Sequence, residues 1–153
     1  MEFASIDDVV DFAIEKEHEA AVFYRTAADN EKMQAGKNVF IEYAEEEKKH
    51  EEMLTAFKAD TSAFADYTFK KVQDIKRADY LMEMEYEPGM SYHNVMRLAM
   101  KREEKAYKLY QKMSESSDND DLKNIFAILA NEELKHKSTL EGMYDDIVAE
   151  TGD

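Results

Sequence analysis

The chain repeats itself at a distance of 86 residues, and that repeat constrains the fold more than any other feature. The shift carries Glu17, Ala20 and Tyr24 onto Glu103, Ala106 and Tyr110. It also carries Phe40, Ala44, Glu47, His50 and Leu54 onto Phe126, Ala130, Glu133, His136 and Leu140. Ser5, Val9 and Ala13 map in the same way onto Ser91, Val95 and Ala99. No insertion breaks this register, so the chain is expected to build two related units packed about a pseudo-two-fold axis.

Each unit reads as a pair of helices. One proline and four glycines in 153 residues leave long stretches without punctuation. The first helix is expected from about Ser5, an N-cap followed by the acidic Asp7 and Asp8, to Asn30. The second runs from about Gly36 to Lys58, the third from Ser91 after Pro88-Gly89 to about Ser114, and the fourth from the polar loop SESSDNDD to near Glu150. Short connections make antiparallel hairpins of about 5–58 and 91–150. The intervening 59–90 is too long for a plain loop, and its Val72, Ile75, Leu81 and Met82 should pack on the bundle. The expected fold is all-α: one antiparallel four-helix bundle over 1–153, with two repeated hairpins joined by a long crossover.

Apolar residues step by three and four along every helix, and charged residues interrupt each stripe at its middle. The first reads Val10, Ala13, Glu17, Ala20, Tyr24; the second Phe40, Tyr43, Glu47, His50, Leu54, Phe57. The third reads Met96, Ala99, Glu103, Ala106, Tyr110, and the fourth Phe126, Leu129, Glu133, His136, Leu140, Met143, Ile147. Four carboxylates and two imidazoles thus fall in the expected core, where unpaired burial costs several kcal/mol each. No Lys or Arg occupies the equivalent stripe positions. Two divalent cations would cancel the four carboxylates. One Glu from each of two helices and a Glu-x-x-His from each of the other two is the ligand set of di-iron and di-manganese carboxylate bundles. Imidazole and carboxylate suit iron, and the absence of thiolate makes a structural zinc site less natural.

Other candidates read as structure. Glu15-x-x-His18 has the same spacing, but the repeat places Lys101 and Glu104 opposite it and His18 lies off the stripe, so a solvated face is expected. His93, in a first turn, is also expected in solvent. Tyr24 and Tyr110, one step beyond the Glu of their helices, are either core aromatics or hydroxyl donors to ligand carboxylates. The methionines, Met96, Met100 and Met113 among them, read as gap-filling core. Close packing is expected at Gly142, whose repeat partner is Ala56, and the acidic runs Glu45–Glu47 and Asp118–Asp121 read as mostly solvated.

The charge balance narrows function. Lys and Arg number 20 against 35 Asp and Glu, a net charge of −15, which disfavours nucleic acids and anionic membranes. The opening MEFASIDDVVDF has neither a basic region nor a long apolar run, so a cytoplasmic location is expected. Cysteine is absent, which excludes disulfides and thiolate metal sites within these residues.

With E17-x-x-A20-x-x-F23-Y24, E47-x-x-H50, E103-x-x-A106-x-x-x-Y110 and E133-x-x-H136, the sequence resembles the rubrerythrin family of the ferritin-like superfamily. MSYHNVMRLAMKREEKAYKLY also reads like that family's third helix. The resemblance implies two irons per chain, with manganese or zinc as alternatives. It also implies reduction of peroxide or O₂, electrons from a small redox protein, a role against oxidative stress and a homodimer. On this reading Glu47 and Glu133 bridge the irons, Glu17 and Glu103 are terminal, and His50 and His136 each ligate one. Two departures stand out. Without cysteine there is no rubredoxin-like iron domain, and Ala106 replaces a glutamate that rubrerythrins carry three residues after the third-helix ligand. Two other readings compete with this one: ferritin-like iron oxidation and storage, and a bundle stabilised by manganese or zinc without redox turnover.

Overall fold

A computed structural model describes residues 3, 5–59, 75–82, 84–117 and 120–151. Among them are four long helices: α1 (Ile6–Asn30), α2 (Gln34–Ala59), α3 (Tyr92–Ser116) and α4 (Asp120–Thr151). A short 3₁₀ turn, Arg77–Tyr80, precedes α3. The repeat extends to the helix ends. Ser5 Oγ accepts from the Asp8 N–H and Ser91 Oγ from the Asn94 N–H, each at 3.2 Å. At the far ends, the Glu31 N–H donates to Ala28 O and the Ser117 N–H to Ser114 O, each at 3.3 Å.

Before α3 the chain turns through Glu87-Pro88-Gly89-Met90, closed by the Met90 N–H on Glu87 O at 3.1 Å. Gly89 there has φ +88°, the left-handed value that a Pro-Gly turn of this kind requires. Gly36 serves a different need, since a Cβ at that position would lie 2.6 Å from the Tyr92 hydroxyl.

Helix α1 packs on α2 and α3 on α4, the two hairpins of the repeat. Side-chain bonds between the hairpins set their directions. Tyr24 of α1 reaches Glu103 of α3, and Tyr110 of α3 reaches Glu17 of α1, so these two helices are antiparallel. His50 pairs with Glu132 and His136 with Glu46, which makes α2 and α4 antiparallel as well. It follows that α2 and α3 run parallel, which a long crossover requires. The architecture is a four-helix bundle with one such crossover.

Two apolar clusters fill the core. One holds Val9, Phe12, Leu54, Leu109, Leu122, Phe126 and Leu129; the other holds Phe23, Phe40, Tyr43, Met96, Leu98 and Leu140. Along every helix, the interrupting glutamates and histidines lie between the two clusters. Of the crossover residues, Ile75 is fully buried, Met82 packs on the second cluster and Leu81 is exposed, while Val72 lies outside the described residues. The 3₁₀ turn packs on α3, where the Lys105 ammonium donates to Asp79 O at 3.3 Å. No helix among the described residues is long and apolar enough to cross a membrane.

Candidate metal centre

Glu17, Glu47, His50, Glu103, Glu133 and His136 are all buried. Their ligand atoms form two overlapping quartets, Glu17–Glu47–His50–Glu133 and Glu47–Glu103–Glu133–His136, each spanning at most 4.8 Å. The quartets share Glu47 and Glu133, which places these two between a pair of cation positions. The helical register accounts for the grouping. The glutamate and histidine of each Glu-x-x-His lie on adjacent turns of one face, and each hairpin supplies one such pair and one lone glutamate.

The donor atoms fit metal ions better than they fit each other. Glu17 Oε2, Glu47 Oε1, Glu103 Oε2, Glu133 Oε1 and His50 Nδ1 are buried and make no hydrogen bond. His50 Nδ1 lies 2.9 Å from Glu133 Oε1 and 3.5 Å from both Glu17 Oε2 and Glu47 Oε1, close in charge terms but without hydrogen-bond geometry. His136 Nδ1 is 3.3 Å from Glu47 Oε1 and from Glu103 Oε1, the second contact being a hydrogen bond. Buried polar atoms that converge without bonding need a partner, and two divalent cations at the shared positions would supply it.

Without such charge the cluster holds protons. Burial, then Glu17 and Glu103, raise Glu47 well above the usual carboxylate range. Burial and the charges of Glu103, Glu47 and Glu17 do the same to Glu133. Burial pushes His50 down, but Glu17, Glu47 and Glu132 outweigh it and hold the ring up at about 9. His136 is pushed up to about 12, again against burial, by Glu103 and Glu47.

The groups around the ligands are ordered across the two hairpins. The Tyr24 hydroxyl donates to Glu103 Oε1 at 2.5 Å, and the Tyr110 hydroxyl donates to Glu17 Oε1. Burial and the neighbouring glutamates raise both phenols well above their usual range, so they remain donors. Each tyrosine thus steadies the glutamate of the opposite hairpin.

Two further carboxylates hold the histidines. His50 Nε2 pairs with Glu132, and His136 Nε2 with Glu46 at 2.5 Å. A carboxylate only accepts, so Nε2 donates, and once a metal displaced the second proton Nδ1 would be the ligand atom facing the cluster. Reading Glu45–Glu47 as a solvated run therefore misses Glu46, whose side chain is 39% exposed yet ties down a buried ring. The signal was available: the 86-residue shift carries Glu46 onto Glu132.

Glu15 and His18 stay on the surface, His18 facing Glu51 at 3.2 Å. His93 departs from expectation, half-buried with its ring edge-on to Tyr144 at 5.9 Å. Gly142 departs as well. It is exposed and a Cβ there would meet nothing, so close packing does not explain it. Met96 and Met113 are fully buried, as gap-fillers should be. Asp118 lies outside the described residues.

On the α1–α3 side, a cavity of about 40 Å³ reaches Glu17, Glu47, Glu103 and Glu133. Ala20 and Ala106 leave this space, and Tyr80 and Met82 of the crossover line its outer end. A water-sized probe needs roughly 10–15 Å³, so the cavity suits a molecule of two or three heavy atoms.

The sequence profile of the rubrerythrin family matches residues 8–144. Among solved structures, the chain resembles a Thermotoga maritima protein described as ferritin-like and diiron-carboxylate. That match has a TM-score of 0.75 and 18% identity and covers 95% of this chain and 97% of that one, a likeness of fold. It also resembles a hypothetical protein from Pyrococcus furiosus, with a TM-score of 0.67, 28% identity, and coverage of 90% and 86%. No curated protein matches it significantly.

Proposed function

The chain belongs to the rubrerythrin family, and from that premise we propose that it is a di-iron carboxylate oxidoreductase reducing hydrogen peroxide or O₂. The observation that carries this reading is the pair of buried, overlapping Glu/His quartets, in which Glu17 Oε2, Glu47 Oε1, His50 Nδ1, Glu103 Oε2 and Glu133 Oε1 make no hydrogen bond. Glu17 and His50 would hold one iron, Glu103 and His136 the other, with Glu47 and Glu133 between them. When bound, two ferrous ions supply the two electrons that, with two protons, convert one hydrogen peroxide to two waters.

The protein's own part is to hold, exclude and admit. Glu46 and Glu132 fix the imidazoles through Nε2, and Tyr24 and Tyr110 fix the terminal carboxylates. The two apolar clusters keep bulk water from the layer between them. The small cavity beside the four carboxylates would bring a reactant the size of peroxide or O₂ to the centre. Ala106 lines that cavity, so the space stands open where rubrerythrins place a further glutamate. Lacking cysteine, these residues hold no thiolate-bound electron store, so a separate redox protein returns the electrons.

The test is stopped-flow mixing of the anaerobic di-ferrous protein with hydrogen peroxide. The expected result is ferric absorption growing to completion at one peroxide per two irons. Ferrous protein that stays unoxidised would overturn the proposal.

A further inference from the structure

The two halves of the centre match in their ligands and differ in what stands behind them. Tyr24 stacks on Phe40 at 6.0 Å, and its repeat partner Tyr110 stacks on Phe126 at 6.4 Å. Tyr43 breaks this correspondence, because the repeat places Leu129 opposite it. Its ring lies flat on His136, centroids 3.9 Å apart and planes 20° from parallel. The same ring meets Tyr24 edge-on at 5.5 Å, and Tyr24 donates to Glu103. Tyr43 therefore supports both terminal ligands of a single half, His136 directly and Glu103 through Tyr24. Thr139 lines the same surface depression as Tyr43, and its repeat counterpart is Met53.

An imidazole can fulfil its role as ligand only in one ring plane, and a ring already held there loses less freedom on binding. His136 is held at its edge by Glu46 and on its face by Tyr43. His50 is held at its edge by Glu132, while the position equivalent to Tyr43 carries an aliphatic side chain. The approaches differ in the same sense. A surface depression of about 240 Å³ over His136 is lined by Glu42, Glu46 and Thr139, together with Lys135 and the His50 partner Glu132. The counterparts of Glu42 and Thr139 are Ile128 and Met53, 52% and 38% exposed. The surface over His136 is therefore more polar at Glu42 and Thr139 than at their repeat counterparts Ile128 and Met53.

We propose that Tyr43 is a positioning residue that makes the two metal positions unequal, so that Glu103–His136 takes a divalent cation first and more tightly than Glu17–His50. The inference rests on the dinuclear reading of the site, and its test separates the two. The metal-free protein is titrated with Co²⁺ and followed by calorimetry and by the visible absorption of the bound ion. Wild type should show two resolved steps, the first about tenfold tighter. Tyr43→Leu, which copies Leu129, should weaken the first step about tenfold and leave the second in place, and Tyr43→Phe should keep both. His136→Ala should remove the tight step and His50→Ala the weak one, which decides the matter even if Tyr43→Leu does not fold. Two equal steps in wild type, equal weakening of both by Tyr43→Leu, or loss of the tight step in His50→Ala would each overturn the inference and leave a dinuclear site standing. No Co²⁺ uptake by wild type would overturn both.

Discussion

The centre has two sides built on opposite terms. On the α2–α4 side, each histidine is tied to a glutamate of the other hairpin, and Tyr43 closes over His136. On the α1–α3 side, small residues, Ala20 and Ala106, leave a cavity that reaches all four carboxylates. The same repeat generates both sides, so the difference lies in side-chain size and charge at a few positions. Hydrogen bonds to the histidines concentrate on the first side, and space beside the four carboxylates is left on the second. Five substitutions and a pH series can break or sharpen that contrast.

The largest effect is expected on the closed side. Glu46→Ala and Glu132→Ala free a histidine ring each and should weaken metal binding about 10- to 100-fold, measured by competition with a chelator. Unchanged affinity would mean that the ring orientation is set by packing alone. On the open side, Ala106→Leu should fill the cavity. About two irons per chain should remain while the peroxide reaction slows roughly tenfold, because access rather than ligation is lost. A fall in iron content instead would show that the cavity wall also shapes the ligands.

The pH dependence of stability follows from the raised proton affinities in the metal-free protein. Glu47 and Glu133 ordinarily titrate near 4.5 and the histidines near 6.5, and all four are raised in the folded cluster. In the window above those ordinary values the folded state binds more protons than the unfolded chain, so stability falls as pH rises. The metal-free melting temperature should therefore drop from pH 5 to pH 9, where His50 titrates at about 9, and go on falling above it because His136 is held up to about 12. Metal must displace these protons, so its stabilisation grows over the same range and the loaded and metal-free curves diverge. Parallel curves would contradict this. The smallest effect is expected for Tyr24→Phe and Tyr110→Phe, which each remove one donor to a carboxylate that the metal also holds. A loss of a few-fold in affinity corresponds to about 1 kcal/mol.

Much of this arrangement was legible in the repeat. The 86-residue shift located both hairpins, and the interrupted stripes picked out the six residues that the structure brings together. Periodicity works here because a buried helical face tolerates charge only where something compensates it. It failed one residue off the stripe. Glu46 and Glu132 sit at the boundary between core and solvent, where a local charge run hides a contact with the opposite hairpin. Tyr80 over the cavity was equally out of reach, since its place depends on how the crossover lies on α3 rather than on any local pattern. The cross-hairpin direction of the tyrosine bonds needed the bundle's geometry as well: the repeat marks Tyr24 and Tyr110 as equivalent without saying which glutamate each one meets.

The most direct test of the account is iron content per chain after anaerobic reconstitution with Fe²⁺ and desalting, on wild type and Glu133→Ala side by side. Glu133 belongs to both quartets, so its loss strips a donor from each position. The account predicts about two irons in wild type and a marked fall in the variant. Wild-type protein that retains no iron, or a variant that retains as much as wild type, would contradict it.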